Sequence, residues 1–184
     1  HIIVSEIDRI VGLMNTILII SKDDIGKTNF SPSHFDLKKM CEDVMEVALF
    51  EQKNKRSIKT KFKGTDFTVF ADKALMEYSL FNLINNAFKY SEEQNGEVLL
   101  NLTSTKKSIR IAITDFGIGI PIEDHGKIGN TFFRASNTHG IQGTGLGLYI
   151  VKTFTQRNAG QFKIKSTLGK GTTALLLFSK TTHH

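Results

Sequence analysis

The stretch "GTGLGLYIVK", residues 143–152, constrains the fold of this chain most, because three alternate glycines stand just before an apolar run. Glycine is a poor helix former and loses much conformational entropy on folding. Gly143, Gly145 and Gly147 therefore indicate that a bare backbone is needed where a helix begins. The unpaired amides and the dipole of a helix start attract anions. We predict a loop-to-helix turn that binds an anion, most simply a polyphosphate. A plain loop before a helix is the alternative, but it does not require three alternating glycines.

Helical and strand-like patterns alternate along the rest of the chain. Predicted helices cover 35–55, 73 to about 90 behind an Asp72 cap, and about 146–158, with a glycine-rich loop region over 116–144. Predicted strand pairs are 58–64 with 67–72, as a hairpin around Gly64 and Asp66, then two strands within 97–115 and two within 160–180. This order predicts an α+β fold with a mostly antiparallel sheet.

The leading segment, "IIVSEIDRIVGLMNTILIISKDD", has an apolar seam at helical spacings of four and three. Its members are Ile3, Ile7, Ile10, Met14 and Ile17. Such a helix must pack on another one, from its own longer chain or from a second copy. The following stretch, "GKTNFSPSHFD" over 26–36, is predicted to be a linker.

Composition narrows the class of protein. The 184 residues are 40% apolar, enough for the core of one domain, or of one domain with an appendage. The longest apolar stretch is too short to span a bilayer, and we expect no signal peptide. The single Cys41 indicates a buried structural thiol in a reducing compartment. A formal net charge of +6 suits nucleic acid, anionic lipid, nucleotide phosphates or an acidic protein partner. Without zinc spacing or a nucleic-acid motif, nucleic acid is disfavoured.

Two polar features stand in otherwise apolar segments. Asn82, Asn86 and Lys89 lie at i, i+4 and i+7, so they share one stripe of a helix. This stripe is either a solvated face or the wall of a polar site. Asp115 ends a predicted strand ahead of Gly117, where its carboxylate could accept a hydrogen bond from an exocyclic amine; an Asp-Gly turn is the alternative.

Three stretches in this order, "NLINNAFKYS", "TDFGIGIP" and "GTGLGLYIVK", closely resemble the asparagine box and two glycine boxes of sensor histidine kinases. "FFRASNTHGIQGTGLGL" and "STLGKGTTALLLF" resemble the lid and the last strand of that family. The resemblance covers about 30–180, and the leading helix resembles the second helix of the family's dimerisation and phosphoacceptor domain. It implies a two-layer sandwich with helices on one face of a mixed sheet.

The resemblance also implies a site for ATP and Mg²⁺. Asn86 would hold the metal with Asn82 in support, Lys89 would reach a phosphate, and Asp115 would bind the adenine amine with help from Thr172. The residues implied to bind the nucleotide are Asn82, Asn86, Lys89, Tyr90, Asp115, Gly117, Gly119, Ile120, Gly143, Thr144, Gly145, Leu146, Gly147, Leu148 and Thr172. Those implied to act in catalysis are Asn82, Lys89 and Arg134.

The chain departs from the family pattern in two places. Gly129 stands where the phenylalanine box has its first ring, although Phe132 and Arg134 match, so we expect a looser lid. No phosphoacceptor box is present: His1 does not match it, and we expect His34, His125 and His139 in exposed loops. Asn82 stands where the hydrolytic relatives (gyrase, mismatch-repair proteins and heat-shock chaperones) carry a glutamate, which favours transfer to a protein side chain over hydrolysis.

We therefore expect residues 1–28 to be the last helix of a dimerisation domain, 29–180 a catalytic ATP-binding domain, and 181–184 a tag remnant. The expected activity is transfer of the γ-phosphoryl group to a histidine in an upstream segment. Expected partners are the phosphoacceptor helix of the same or a partner subunit, a response regulator receiver domain, and a second copy in a full-length homodimer, with no nucleic acid. The domain would be cytoplasmic, with membrane anchoring of the full-length protein left open. The alternatives are a nucleotide-binding regulatory module without transfer activity and, less favoured, a serine-directed kinase.

Overall fold

The computed structural model describes residues 30–52, 56–91 and 97–180. The predicted leading helix, the start of the predicted linker and the tag remnant lie outside the described residues.

The described chain alternates strands and helices around one larger sheet. Its elements are β1 (Pro32–Asp36), α1 (Leu37–Glu51), β2 (Ser57–Lys63), β3 (Thr68–Asp72), α2 (Lys73–Tyr90), β4 (Glu97–Ser104), β5 (Ser108–Thr114), a 3-10 helix (Ile122–Lys127), α3 (Gly147–Arg157), β6 (Gln161–Thr167) and β7 (Gly171–Ser179). A five-stranded sheet has the order β2-β4-β5-β7-β6, and β1 pairs with β3 in a separate two-stranded sheet. Only the β2–β4 pair of the described strands is parallel, which confirms the predicted α+β fold with a mixed, mostly antiparallel sheet.

The hairpin predicted between 58–64 and 67–72 is wrong. β2 runs parallel to β4, with Ile58 opposite Val98, whereas β3 pairs antiparallel with β1. Part of the predicted linker is therefore strand β1. The prediction failed because the alternation of apolar and polar residues identifies a strand but not its partner strand. The loop over 64–67 leads the chain from the five-stranded sheet to the two-stranded one. There Asp66 accepts a hydrogen bond from the Thr68 amide at 2.9 Å and pairs with Lys180 at 2.8 Å.

The helices are positioned by caps and by burial on one face of the sheet. The Asp72 carboxylate accepts the Leu75 amide at 3.2 Å, as predicted for the start of α2, and Asp36 caps α1 in the same way. Inward residues of the strands pack with apolar residues of all three helices in one core. Examples are Val98, Leu100, Ile111 and Leu176 from the strands with Leu37, Leu80, Ile84 and Val151 from the helices. Cys41 is fully buried there, and burial raises its thiol pKa to about 12, which fits the predicted structural thiol.

Two of the three described histidines do not lie in loops as predicted. His34 belongs to β1, where its exposed ring lies 5.0 Å from that of Phe70. His125 belongs to the 3-10 helix and is half-buried, with Nε2 3.1 Å from the Ile120 carbonyl oxygen. His139 is exposed in a loop, as expected. Within the described ranges, no helix combines the length and the apolarity that crossing a membrane requires.

Candidate functional site

A cavity of about 380 Å³ lies between α2, the loop that follows β5, and the start of α3. This volume is within the usual range for small-molecule sites. All but two of the residues implied to bind a nucleotide, together with Arg134, line it. Those lining residues are Asn82, Asn86, Lys89, Tyr90, Asp115, Gly119, Ile120, Arg134, Gly143, Thr144, Gly145, Gly147, Leu148 and Thr172. The exceptions are Gly117 and Leu146.

The asparagine stripe of α2 forms one wall of this cavity rather than a solvated face. Asn82 donates from Nδ2 to the Tyr78 carbonyl oxygen at 3.0 Å, so its Oδ1 is the group left for a ligand. A Cβ atom placed on Gly147 would lie 3.2 Å from Asn82 Oδ1 and 3.8 Å from Asn86 Nδ2. The amides of the stripe therefore meet the bare backbone at the start of α3.

Asn85 also lines the cavity, although no pattern in the sequence led us to expect it there. Its Oδ1 is buried and accepts no hydrogen bond from the described residues. An unpartnered buried acceptor costs about 1–3 kcal/mol, so such atoms are rare in folded proteins. The available signal was its position in "NLINNA", next to Asn86 and three residues after Asn82. This oxygen is free to accept a hydrogen bond from a ligand, or from a water molecule that hydrates a ligand, in this part of the cavity.

Two cations converge where the glycine-rich turn begins. A Cβ atom on Gly143 would lie 2.7 Å from Lys89 Nζ and 3.9 Å from Arg134 Nε. No salt bridge joins either cation to a carboxylate of the described residues. Partial burial, and secondarily the Arg134 charge, lower the pKa of the Lys89 ammonium. An anion entering here would relieve this repulsion, so the electrostatics favour a phosphate or another anion.

Arg134 stabilises the loop that follows it, which the resemblance did not imply. Its Nη2 donates to the Thr138 carbonyl oxygen at 2.9 Å and also to the Ile141 carbonyl oxygen. The guanidinium therefore holds the loop closed on itself while another edge faces the cavity.

Asp115 presents one carboxylate oxygen to the cavity. The residue is 7% exposed, and its Oδ1 accepts the Gly117 amide at 3.0 Å and the Thr172 amide at 3.2 Å. No described residue donates to its Oδ2. Burial raises the pKa of this carboxyl, and the two backbone hydrogen bonds oppose that shift. The Asp-Gly turn of the sequence alternative therefore forms, and Oδ2 is left without a hydrogen-bond donor among the described residues.

Gly117 is required for packing between two segments rather than for lining the cavity. A Cβ atom there would lie 1.8 Å from the Tyr90 carbonyl oxygen, which also accepts the Ile118 amide at 3.2 Å. The glycine thus lets the loop after β5 pack on the C-terminal end of α2, and it does not line the cavity. A Cβ atom on Gly119 would likewise meet Thr167 backbone rather than the open space.

The three glycines of 143–147 are required for three different structural reasons. Gly143 faces the two cations, and Gly147 faces the asparagine stripe. Gly145 has φ +74°, and a Cβ atom there would lie 2.5 Å from the Phe132 carbonyl carbon. Leu146 turns away from the cavity: it is 1% exposed and packs with Ile150 and Phe154. The bare backbone predicted at a helix start is present, since α3 begins at Gly147.

The loop over the cavity is anchored at its first half. Asp124, in the 3-10 helix, is buried and accepts both the amide and the hydroxyl of Ser136, at 2.7 and 2.8 Å. These hydrogen bonds lower the pKa of Asp124. Asn137 Nδ2 also donates to the Gly119 carbonyl oxygen at 2.9 Å. Asp124 was not foreseen, because its partner lies twelve residues away on another segment.

The departure from the phenylalanine box coincides with a tight turn. Gly129 has φ +82° and is buried beside Lys152. Phe132, the ring that matches the box, has φ +61° and is 63% exposed. Phe133, which no sequence pattern singled out, lines the cavity instead.

Comparison with known proteins identifies relatives. The model of the family described as histidine kinase-, DNA gyrase B-, and HSP90-like ATPase matches residues 71–182. Over 91% of its length the chain is 31% identical to drug sensory protein A of Synechocystis sp., of which it covers 27%. Over 92% of its length it is 30% identical to the sensor histidine kinase WalK of Bacillus subtilis, of which it covers 28%. The chain thus spans about a quarter of the length of these two relatives.

Solved structures share the fold. The histidine kinase AdeS of Acinetobacter baumannii matches with a TM-score of 0.76 at 21% identity, over 97% of this chain and 82% of that one. The catalytic domain of the histidine kinase ThkA matches with a TM-score of 0.67 at 26% identity, over 82% of this chain and 96% of that one.

The family match covers more than half of the chain and includes α2, Asp115 and the glycine-rich turn, and membership implies ATP binding. The chain therefore belongs to the histidine kinase-, DNA gyrase B- and HSP90-like ATPase family, as a catalytic ATP-binding domain homologous to those of sensor histidine kinases.

Proposed function

We propose that this chain binds magnesium-ATP in the cavity and transfers its γ-phosphoryl group to a histidine on a phosphoacceptor helix of the full-length protein. One observation carries the proposal: a single cavity joins an open carboxylate oxygen, a wall of amide oxygens and two cations without carboxylate partners among the described residues. These groups suit the base, the metal and the phosphates of one nucleotide.

The base would bind at the Asp115 end. Its Oδ2 is available to accept the exocyclic amine of adenine, and the Thr172 hydroxyl lies nearby in the hydrogen-bonded group with Ser166. The same end of the cavity is lined by Ile113, Ile164 and Ala174, which offer an apolar surface for a flat ring.

The phosphates would lie against the start of α3. Its first amides are unpaired, the helix dipole adds positive potential, and Lys89 and Arg134 stand at Gly143. This half of the cavity supplies positioning and charge neutralisation, which are the main protein contributions to phosphoryl transfer.

The donor set fits Mg²⁺. Within the described ranges, no cluster of three carboxylate, histidine or cysteine side chains could hold a metal ion. The amide oxygens of Asn82 and Asn86 are the available direct ligands, and the unpartnered Asn85 oxygen suits a metal-bound water. When bound, Mg²⁺ would offset the negative charge of the phosphates during transfer.

Transfer fits this cavity better than hydrolysis. Asp115 is the only carboxylate among the described lining residues, and it is engaged at the base end. Asn82 cannot take a proton from water at neutral pH. A neutral imidazole nitrogen already carries a lone pair, so its attack needs no such base. The N–P bond forms as the bond from γ-phosphorus to the bridging oxygen breaks, ADP leaves, and the proton on the other ring nitrogen passes to solvent.

The wider assembly is proposed from the relatives. The names of several relatives describe histidine kinases of signal transduction. We therefore infer a homodimer in the full-length protein, a phosphoacceptor helix from the same or the partner subunit, and a response regulator receiver domain as the next acceptor. Residues 1–28 are proposed as the last helix of the dimerisation domain, and the catalytic domain is proposed to act in the cytoplasm.

The test is incubation of the chain with γ-labelled ATP and Mg²⁺, with and without a separate fragment that carries the phosphoacceptor helix. Acid-labile label on the fragment alone is expected. Rapid phosphate release by the chain alone would contradict transfer and favour the gyrase and chaperone side of the family. Nucleotide binding with neither labelling nor hydrolysis would favour the alternative of a regulatory module, which the exposed Phe132 and the absent ring at Gly129 support.

A further inference from the structure

The five-stranded sheet has a second face, opposite to the one on which the described helices pack. We call it the outer sheet face. Register places its side chains in three rows across β2, β4, β5, β7 and β6. The rows are Lys59, Leu99, Thr114, Thr173 and Lys165; Lys61, Asn101, Ala112, Leu175 and Lys163; and Lys63, Thr103, Arg110, Leu177 and Gln161. The hydroxyls of Thr114 and Thr173, 2.9 Å apart, show that neighbours in a row meet on this face.

Positive charge is concentrated at the two edges of this face. Every lysine of the three rows is exposed, and so is Arg110 on central strand β5. One acidic residue, Glu97, stands among the described outward residues of the five strands. Its Oε1 lies 2.7 Å from Lys59 Nζ. The face therefore holds a large part of the excess positive charge of the chain.

Between the two lysine edges, four of the nine central positions are apolar, and we call these four residues the apolar centre: Leu99, Ala112, Leu175 and Leu177. The other five are Asn101, Thr103, Arg110, Thr114 and Thr173. Leu99, Leu175 and Leu177 belong to three different rows of this face, and each of them is half-buried. Ala112 lies among them. Four strand spacings separate the edges, which is roughly 19 Å. An α-helix with its side chains is about 10–12 Å across, so one helix fits along the strands between the lysines.

Edge protection, nucleic-acid binding and membrane binding each account for only part of this pattern. Lysines on edge strands discourage edge-to-edge pairing, but Arg110 and the leucines are not on edge strands. Single-stranded nucleic acid stacks on aromatic side chains, and no described residue of the three rows is aromatic. Membrane binding inserts protruding apolar and aromatic side chains, whereas these leucines are half-buried in a sheet.

We propose that the outer sheet face docks an acidic amphipathic helix of a partner protein. The apolar stripe of that helix covers Leu99, Leu175 and Leu177, and carboxylates on its two flanks face the lysines of β2 and β6. Charge complementarity selects the partner, and the apolar centre fixes the helix between the lysine edges. The surface lies on the opposite side of the sheet from the nucleotide cavity, so a partner can bind without blocking it.

The test uses a labelled helical peptide of about 18 residues, which spans roughly 27 Å. It carries a leucine stripe flanked by glutamates, and two versions replace either the glutamates with glutamine or the leucines with serine. Fluorescence anisotropy gives the Kd for the whole chain, for Lys61→Gln with Lys163→Gln, and for the control Lys39→Gln with Lys73→Gln. The control removes the same charge from exposed positions on α1 and α2.

We expect the original peptide to bind more tightly than either altered version, and added salt to weaken it. The outer-face variant should bind about fivefold more weakly, while the control variant keeps its affinity. Unchanged binding of a fluorescent adenine nucleotide would show that both variants are folded.

Several results would overturn the proposal. Equal affinity for the original and the glutamine peptide, or equal losses in the two variants, would show no specific acidic site. Binding to phosphatidylserine vesicles or to a DNA duplex, but not to the peptide, would assign the face to that ligand instead. Self-association of the outer-face variant with unchanged peptide binding would show that the lysines only protect the sheet edges.

Discussion

The exchange of Asp115 for asparagine tests the proposed base-binding end of the cavity by changing a single group. Asp115 Oδ1 already accepts two backbone amides, from Gly117 and Thr172, so that position must stay an oxygen. The new NH₂ group therefore takes the place of Oδ2 and meets the adenine amine donor to donor. A buried polar group without a partner costs about 1–3 kcal/mol. The Kd for an adenine nucleotide should therefore rise about 5- to 150-fold.

The same exchange should not weaken the nucleotide-free protein. Burial raises the pKa of Asp115 in the folded state, so its ionisation costs more there than in the unfolded chain. This destabilisation is absent below the unfolded pKa of about 3.9 and complete once the pH exceeds the folded pKa. Asparagine avoids it, so the variant should melt at an equal or higher temperature near pH 7. That difference should shrink as the pH falls towards 4.

The assay is titration with fluorescent adenine and guanine nucleotides, alongside thermal melts. Guanine has a carbonyl oxygen where adenine has the amine, so its binding should suffer less in Asp115→Asn and the preference for adenine should narrow. Asp43→Asn is the matched control, since it makes the same chemical change in an exposed pair with Lys39 on α1. Unchanged adenine affinity, or an equal loss for both bases, would refute the proposed role of Asp115.

Three further predictions concern the cavity and its loop. Gly145→Ala should destabilise the protein more than Gly140→Ala: both glycines have positive φ, but only Gly145 has backbone in the way, 2.5 Å from the added Cβ atom. An alanine at positive φ costs about 1–2 kcal/mol at either position, so only the clash with the Phe132 backbone distinguishes the two variants. Equal melting temperatures would therefore contradict the close packing of Gly145. Ser136→Ala should speed hydrogen exchange over 135–138, because it removes the hydrogen bond from the Ser136 hydroxyl to Asp124. The pKa of Asp124 is lowered in the folded state, so the stabilisation that its remaining hydrogen bond gives is present above about pH 4 and is lost as the pH falls further. Unaltered exchange would show that the anchor is elsewhere. Asn85→Leu should leave the melting temperature of the free protein unchanged or raise it, and it should weaken nucleotide binding mainly when Mg²⁺ is present. A loss of nucleotide affinity that is the same with and without Mg²⁺ would exclude contact through a metal-bound water.

The amino-acid sequence by itself determined the local features of this protein. The Asp72 cap, the limits of α2 and α3 and the two closing strands follow from spacings of a few residues. The stripe of Asn82, Asn86 and Lys89 follows from the helical period. The need for a bare backbone at the start of α3 follows from the presence of three glycines, which are poor helix formers, at that point of the chain. The order of these motifs was also sufficient to recognise the family, since each motif is contiguous in the chain.

The tertiary structure decided which segments meet. Alternation could not tell that β2 pairs with β4 and β3 with β1, because any strand edge presents the same backbone groups. The contact of Gly117 with the end of α2 and the bond of Asp124 to Ser136 join separate segments, so no local spacing encodes them. Asn85 shows the same limit: the helical period places it near the stripe, but whether its oxygen has a partner depends on the atoms that other segments bring to it.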